Sequence, residues 1–181
     1  VNTLKKRLAE KWDYDLSKDN ILHFDIQRTD ELLHGYLDEK FGKNEGLISL
    51  VNGSKVDVIV GGPPCQAYSI AGRVQDGKGM QDDYRNYLFE SYVKMVDYFK
   101  PETFVFENVE GILTARPGGV SIIDRIREAF SAIDYEITDD LRSDALFDTS
   151  FYGIPQKRKR VIIYGVRKSK TSTQQVQDFY S

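Results

Sequence analysis

The chain has 181 residues, 40% hydrophobic and 29% charged, with a formal net charge of −3. This composition excludes a disordered polymer and argues against a globally basic nucleic-acid binder, though not against a local basic patch. No apolar run reaches membrane-span length, no signal-peptide pattern opens the chain, and one cysteine with His23 and His34 offers neither a disulfide nor zinc-ligand spacing.

The length suggests one domain and the single cysteine a reducing cytoplasm. Residues 2–12 predict an amphipathic helix, with Asn2 as its cap and Leu4, Leu8 and Trp12 on one face. Because the chain starts at Val1 with a helical pattern already under way, it reads as an excised piece of a longer protein. Ile21–Phe24 is a short apolar run ending at Asp25, the pattern of a strand end. Residues 29–41 predict a helix despite Gly35, and 42–54, with three glycines, a loop around a short apolar turn. Val56–Val60 predicts a strand buried on both faces, as in a parallel sheet. Gly61, Gly62, Pro63 and Pro64 break it in a stiff turn. Cys65 is therefore expected at the carboxyl end of a central strand, where open α/β sheets place ligands and chemistry.

Residues 66–85, with Gly72, Gly77 and Gly79, predict a long loop; such loops in compact domains are usually lids or disordered. Asn86–Phe99 carries Leu88, Phe89, Tyr92, Val93, Val96 and Phe99 at helical spacing, and Pro101 ends it. Thr103–Phe106 predicts a second buried strand that stops at Glu107-Asn108. A strand–helix–strand unit over 56–106 puts Cys65 and Glu107 at one edge of a parallel sheet. Arg116–Gly119 is a turn, 121–133 an amphipathic helix, Tyr135–Leu141 a weak strand, Phe151–Pro155 a turn and Val161–Val166 a strand. The polar tail 168–181 is expected to fray.

Three features converge: Cys65, Glu107 and the basic run Gln156-Lys157-Arg158-Lys159-Arg160. A thiolate attacks electron-poor carbons, a carboxyl group can hydrogen-bond a ring nitrogen, and an arginine can hold a carbonyl oxygen or a phosphate. Together they suit nucleophilic addition to a heterocycle. Taken singly each is commonplace. A lone cysteine is most often a buried hydrophobe, a strand-end Glu is usually solvated, and a KRKR run is usually solvated surface.

The combination resembles the DNA cytosine-5 methyltransferases. PPCQ at 63–66, FENV at 106–109 and GIPQKRKRV at 153–161 match that family's motifs in order, with HFDI at 23–26, AYSIAGR at 67–73 and DDYRNYLF at 82–89 between or before them. The resemblance spans roughly 21–167. It implies an α/β, Rossmann-like S-adenosylmethionine-dependent methyltransferase fold, a mostly parallel sheet with flanking helices. Cys65 matches the nucleophile that adds to C6 of cytosine, Glu107 the residue at N3 and the exocyclic amine, and Arg160, supported by Arg158, the contact near O2. Asp25, Ile26, Pro64 and Leu88 match cofactor contacts. Gln66, Ser69, Arg73, Arg85 and Asn108 match substrate or DNA contacts, with the loop 67–85 closing behind a flipped base. The implied cofactor is S-adenosyl-L-methionine and the implied partner duplex DNA, with a cognate restriction endonuclease as a functional partner and no metal or membrane. A bacterial cytoplasmic enzyme follows.

The family's glycine-rich methionine-site loop, its ribose-binding acid and its target-recognition region find no match. Residues 1–167 are therefore expected to form a partial catalytic domain, truncated at both ends, followed by the tail 168–181. Alone it is expected not to methylate DNA. A tRNA cytosine-5 methyltransferase of the same family, or an inactive nucleic-acid-binding relic, would share these motifs.

Overall fold

The computed structural model describes residues 2–13, 21–64, 88–169 and 178. They divide into two compact units, Val1–Ser54 and Lys55–Ser181.

In the first unit, α1 (Asn2–Trp12) buries none of its residues. The run 21–24 forms no strand; instead Phe24 stacks on Tyr36 at 3.9 Å, with the Arg28 guanidinium 4.6 Å above its ring. The helix expected over 29–41 is only α2 (Thr29–His34). Gly35 at φ 112 stops it, a backbone state that L side chains rarely adopt. The rest is a hairpin, β1 (Tyr36–Asp38) against β2 (Gly42–Asn44). Asp38 Oδ1 closes its turn by accepting from Lys40 N–H at 2.8 Å and Phe41 N–H at 3.0 Å. The expected loop 42–54 likewise contains β2 and a short helix, α3 (Gly46–Val51). Gly46 lets α3 approach α2: a Cβ there would lie 2.3 Å from the Leu33 carbonyl oxygen.

The second unit is a helix-backed sheet. Its strands are β3 (Val58–Gly61), β4 (Thr103–Val109), β5 (Tyr135–Ile137), β6 (Leu146–Asp148) and β7 (Lys159–Arg167). The order is β3-β4-β7-β5, with β6 also on β7. β3 and β4 are parallel, Val60 opposite Val105, joined through α4 (Leu88–Phe99). β7 is antiparallel to β4, β5 and β6. The described sheet is therefore mixed, where the sequence suggested mostly parallel pairing. The α/β class and the helix cover agree with the Rossmann-like methyltransferase fold that the resemblance implied.

The core lies between one sheet face and the helices α4 and α5 (Ile122–Ala132). Ser121 caps α5, its Oγ accepting from Asp124 N–H at 3.3 Å. Phe104 and Phe106 are fully buried. Phe104 stacks on Phe130 at 4.0 Å, and Tyr92 meets both phenylalanines of β4 edge-on. Gly165, opposite Phe104, leaves room for that ring: a Cβ there would lie 2.1 Å from it. The opposite face is less covered, and Val60 is 72% exposed. The expectation that β3 is buried on both faces is thus corrected: only its Ile59 side packs against the core.

Candidate active site

Strand residues alternate between faces. Phe104, Phe106 and Asn108 of β4 are buried, while Val105, Glu107 and Val109 take the other side. β4 runs three residues beyond the predicted end, so Glu107 and Asn108 lie within the strand. β7 likewise starts two residues earlier than expected and contains Arg160. Their pairing sets Val109 opposite Arg160 and Glu107 opposite Ile162. Arg160 therefore shares Glu107's face, one step along the partner strand. Its Nε donates to Glu107 Oε1 at 2.8 Å, and its Nη1 donates to the Lys159 carbonyl at 2.7 Å.

The two side chains are 45% and 22% exposed. An ion pair this open contributes little to stability. Its consequence is chemical: a carboxyl group and a guanidinium stand side by side at a solvent-facing rim. Such a couple can engage a planar heterocycle that presents an amine, a ring nitrogen and a carbonyl along one edge.

The end of β3 meets this couple. A Cβ on Gly62 would lie 2.9 Å from Glu107 Oε2, so the backbone turn presses directly on the carboxylate. On the buried side, Asn108 Nδ2 donates to the Pro63 carbonyl at 3.4 Å while its Oδ1 accepts from Val109 N–H at 2.8 Å. Asn108 is thus enclosed at 5% exposure and ties the turn to β4. Tyr92 performs a similar task one turn deeper. Its hydroxyl lies 2.9 Å from the carbonyls of both Ile59 and Val105 and, with one proton, donates to one at a time. Burial pushes its pKa well up. Gly61 makes that contact possible, since a Cβ there would lie 2.5 Å from the Tyr92 ring.

The turn is described as far as Pro64, which is exposed. Cys65, Gln66, Ser69, Arg73, Arg85 and the expected lid loop lie outside the described residues. Leu88 opens α4 and is buried. Arg158 and Lys157 precede β7, fully on the surface. Asp25 and Ile26 belong to the first unit. Asp25 is exposed and its Oδ1 accepts from Gln27 N–H at 3.0 Å, while Ile26 is half-buried.

Sequence reading had no hold on Gly62, Tyr92 or Phe147 as neighbours of this rim. Phe147, on β6, lies opposite Arg160 and therefore on the same sheet face. Tyr152 leans toward it, ring centroids 6.2 Å apart. A Leu-Phe-Asp alternation just before a glycine turn was the available signal for β6. Among the described residues no group of three His, Cys, Asp or Glu is placed to hold a metal, and no helix is long and apolar enough to cross a membrane.

Comparison with known proteins identifies the family of the chain, though not the roles of these residues. The profile of the C-5 cytosine-specific DNA methylases matches residues 36–181. The chain is 47% identical over 119 residues to the Type II methyltransferase M.Bpa9945I of Bacillus paralicheniformis, covering 64% of this chain and 26% of that protein. It is 36% identical over 122 residues to the Type II methyltransferase M1.HphI of Haemophilus parahaemolyticus, covering 67% of this chain and 30% of that protein. It also superimposes with a TM-score of 0.49 and 26% identity on a crystal structure described as a DNA modification methyltransferase encoded within an E. coli prophage, covering 83% of this chain and 35% of that one. The chain thus spans about a quarter to a third of the length of the curated relatives it matches. With the profile matched over most of its residues, the chain belongs to the C-5 cytosine-specific DNA methylase family.

Proposed function

We propose that the protein containing this chain transfers a methyl group to C5 of cytosine in duplex DNA, as part of a bacterial restriction–modification pair. The observation that carries the reading is the Glu107–Arg160 couple, 2.8 Å across β4 and β7, against which the turn leading to Cys65 is pressed. In this reading Glu107 holds N3 and the exocyclic amine of the base, and Arg160 hydrogen-bonds O2. A proton donated by Glu107 to N3 and the guanidinium at O2 draw electron density from the ring, and C6 becomes susceptible to a thiolate.

Cys65, one peptide bond beyond Pro64, supplies that thiolate. A sulfur–C6 bond forms, and the electron pair released to C5 makes that carbon nucleophilic. After methylation C5 gives up its proton to a solvent water, the pair from that C–H bond re-forms the C5–C6 double bond, and the C6–S bond breaks to regenerate the thiolate. S-adenosylmethionine, when bound, supplies the electrophilic methyl group. Asp25 and Ile26 suit its adenine, since Asp25 leaves one carboxylate oxygen without a hydrogen-bond partner among the described residues and Ile26 adds an apolar surface.

Asn108 is assigned to the substrate or DNA as the resemblance implies, and its side chain also ties Pro63 to β4. Gln66, Ser69, Arg73 and Arg85 are assigned to DNA, and Arg158 to the support of Arg160 at the base. The target base leaves the helix to reach the pocket, at a cost of a few kcal/mol. A restriction endonuclease of the same sequence specificity is the functional partner, and the bacterial cytoplasm the compartment.

The test uses the full-length protein. Duplex DNA carrying 5-fluorocytosine is offered with S-adenosylmethionine, because fluorine cannot leave C5 as a proton does and the adduct accumulates. A denaturant-stable complex that disappears in Cys65→Ala is expected. A complex that survives that substitution removes Cys65 from the chemistry, and methyl transfer to tRNA in preference to duplex DNA overturns the substrate.

A further inference from the structure

We infer that the turn between β6 and β7 is a second DNA-contacting element, in which the ring of Phe151 stacks on a base beside the one undergoing reaction. This rests on the DNA reading above and concerns residues that the reaction itself does not use. Phe151 is 86% exposed, Tyr152 65% and Ile154 48%, a concentration of apolar surface on one short turn. The turn is well built. It is a 3-10 segment (Thr149–Tyr152) closed by Gly153 at φ 73. Thr149 N–H donates to the Arg158 carbonyl at 3.1 Å, and Thr149 Oγ1 donates to the Gln156 carbonyl at 2.6 Å. Asp148 fixes its start by accepting from Ser150 N–H at 3.0 Å and Ser150 Oγ at 2.8 Å. Tyr152 turns toward Phe147, and Phe151 is left standing outward. A rigid backbone that holds one aromatic ring in solvent is suited to a planar partner.

Charge identifies that partner. The Asp148 carboxylate is occupied by Ser150, whose hydrogen bonds hold its pKa below the usual range, with Lys157 and Lys159 adding to the effect. Lys159 pairs with Glu110 at 3.2 Å and Arg160 with Glu107. The Arg158 guanidinium has no hydrogen-bond or ion-pair partner among the described residues, and Lys157 beside it is equally exposed. An exposed ring on a turn whose backbone is bonded to that of the unpaired Arg158, in a chain of net charge −3, fits stacked bases on a phosphate backbone. The same hairpin sets Phe147 opposite Arg160, so the turn that carries Phe151 continues directly from the strand beside that residue.

The experiment takes the full-length protein and a pool of duplexes in which thymine is replaced by 5-iodouracil and target cytosines by 5-fluorocytosine. After covalent trapping and irradiation, the cross-linked peptide is expected to contain Phe151. Separately, Phe151→Ala is expected to weaken duplex binding about tenfold. Phe151→Leu should behave like Phe151→Ala, and Phe151→Trp should restore affinity, because stacking needs a ring. Affinity unchanged in Phe151→Ala, or restored by Phe151→Leu, with no cross-link at this turn, overturns the inference. The 5-fluorocytosine adduct separates the two readings. If it forms in Phe151→Ala, the catalytic account stands whatever becomes of the turn; if it never forms in the unaltered protein, that account has failed first.

Discussion

The two faces of β4 carry opposite kinds of residue. On one, Phe104 and Phe106 are fully buried under α4 and α5; on the other, Glu107 stands nearly half exposed and pairs with Arg160. One residue separates the two environments, because a strand reverses its side chains at every step. The packed face locates the backbone and the open face spends that precision on a carboxyl group and a guanidinium. Substitutions on the open face should therefore change chemistry and leave stability alone, and those on the packed face should do the reverse.

The largest effect is expected from Glu107→Gln. It keeps the shape and removes the acid, and methyl transfer by the full-length protein should fall about 10²- to 10⁴-fold. The urea midpoint should correspond to a change within about 0.5 kcal/mol, since the lost ion pair is exposed. A parallel loss of stability would mean that the open face is structural and would break the comparison. Next is Phe104→Ala on the packed face, which empties a site enclosed by Phe130, Tyr92 and Tyr135. A loss of about 3–5 kcal/mol is expected by urea unfolding, with activity per folded molecule largely kept.

This division of labour was only partly readable in the sequence. Helices 88–99 and 122–132 announced themselves because Phe89, Tyr92, Val96 and Ile122, Ile126, Phe130 fall at the helical period on apolar faces. The apolar runs into Gly61 and through Phe106 were recognisable as strands. Where β4 ends was not, because its last residues are held by β7, whose Val109–Arg160 pairing joins segments distant along the chain. The same distance hides the Glu107–Arg160 contact from spacing alone; side-chain chemistry grouped Glu107 with the basic run, and the family resemblance singled out Arg160 within it. The helix expected through Gly35 failed because one residue at φ 112 outweighs the helical pattern around it. The exposed side of β3 was missed for another reason: a short β-branched run reads the same whether one face or two are covered.

Adjacent glycines sharpen the contrast further. Gly61→Ala puts a methyl group 2.5 Å from the Tyr92 ring, which is locked in the core, so a loss of about 1–3 kcal/mol is expected in thermal or urea unfolding. Gly62→Ala meets only the end of the Glu107 side chain, at 2.9 Å. That carboxylate can swing, so the stability cost should be smaller than at Gly61. Methyl transfer should nonetheless drop, because the carboxylate leaves its place beside Arg160. Equal stability losses at both positions would show that the turn and the core are one rigid body.

Tyr92 offers the smallest effect and joins two strands, since its hydroxyl reaches carbonyls of both β3 and β4 from the packed side. Burial raises its pKa above the ordinary 10.0, as it does that of Tyr135. The folded state therefore keeps the proton that the unfolded chain releases above pH 10. The sign follows from proton linkage: this contribution is whole below about pH 10 and declines as pH rises toward the folded value, by about 1.4 kcal/mol per pH unit for one such group. Tyr92→Phe forfeits a hydrogen bond, so at neutral pH it should be less stable by about 0.5–1.5 kcal/mol. It also has no proton to lose, so its deficit should shrink between about pH 10 and 11 and then reverse. Urea unfolding of both proteins across that interval measures the crossing. A deficit that stays constant with pH would mean that water reaches the phenol, and the clamp between β3 and β4 would then be open at Ile59 and Val105.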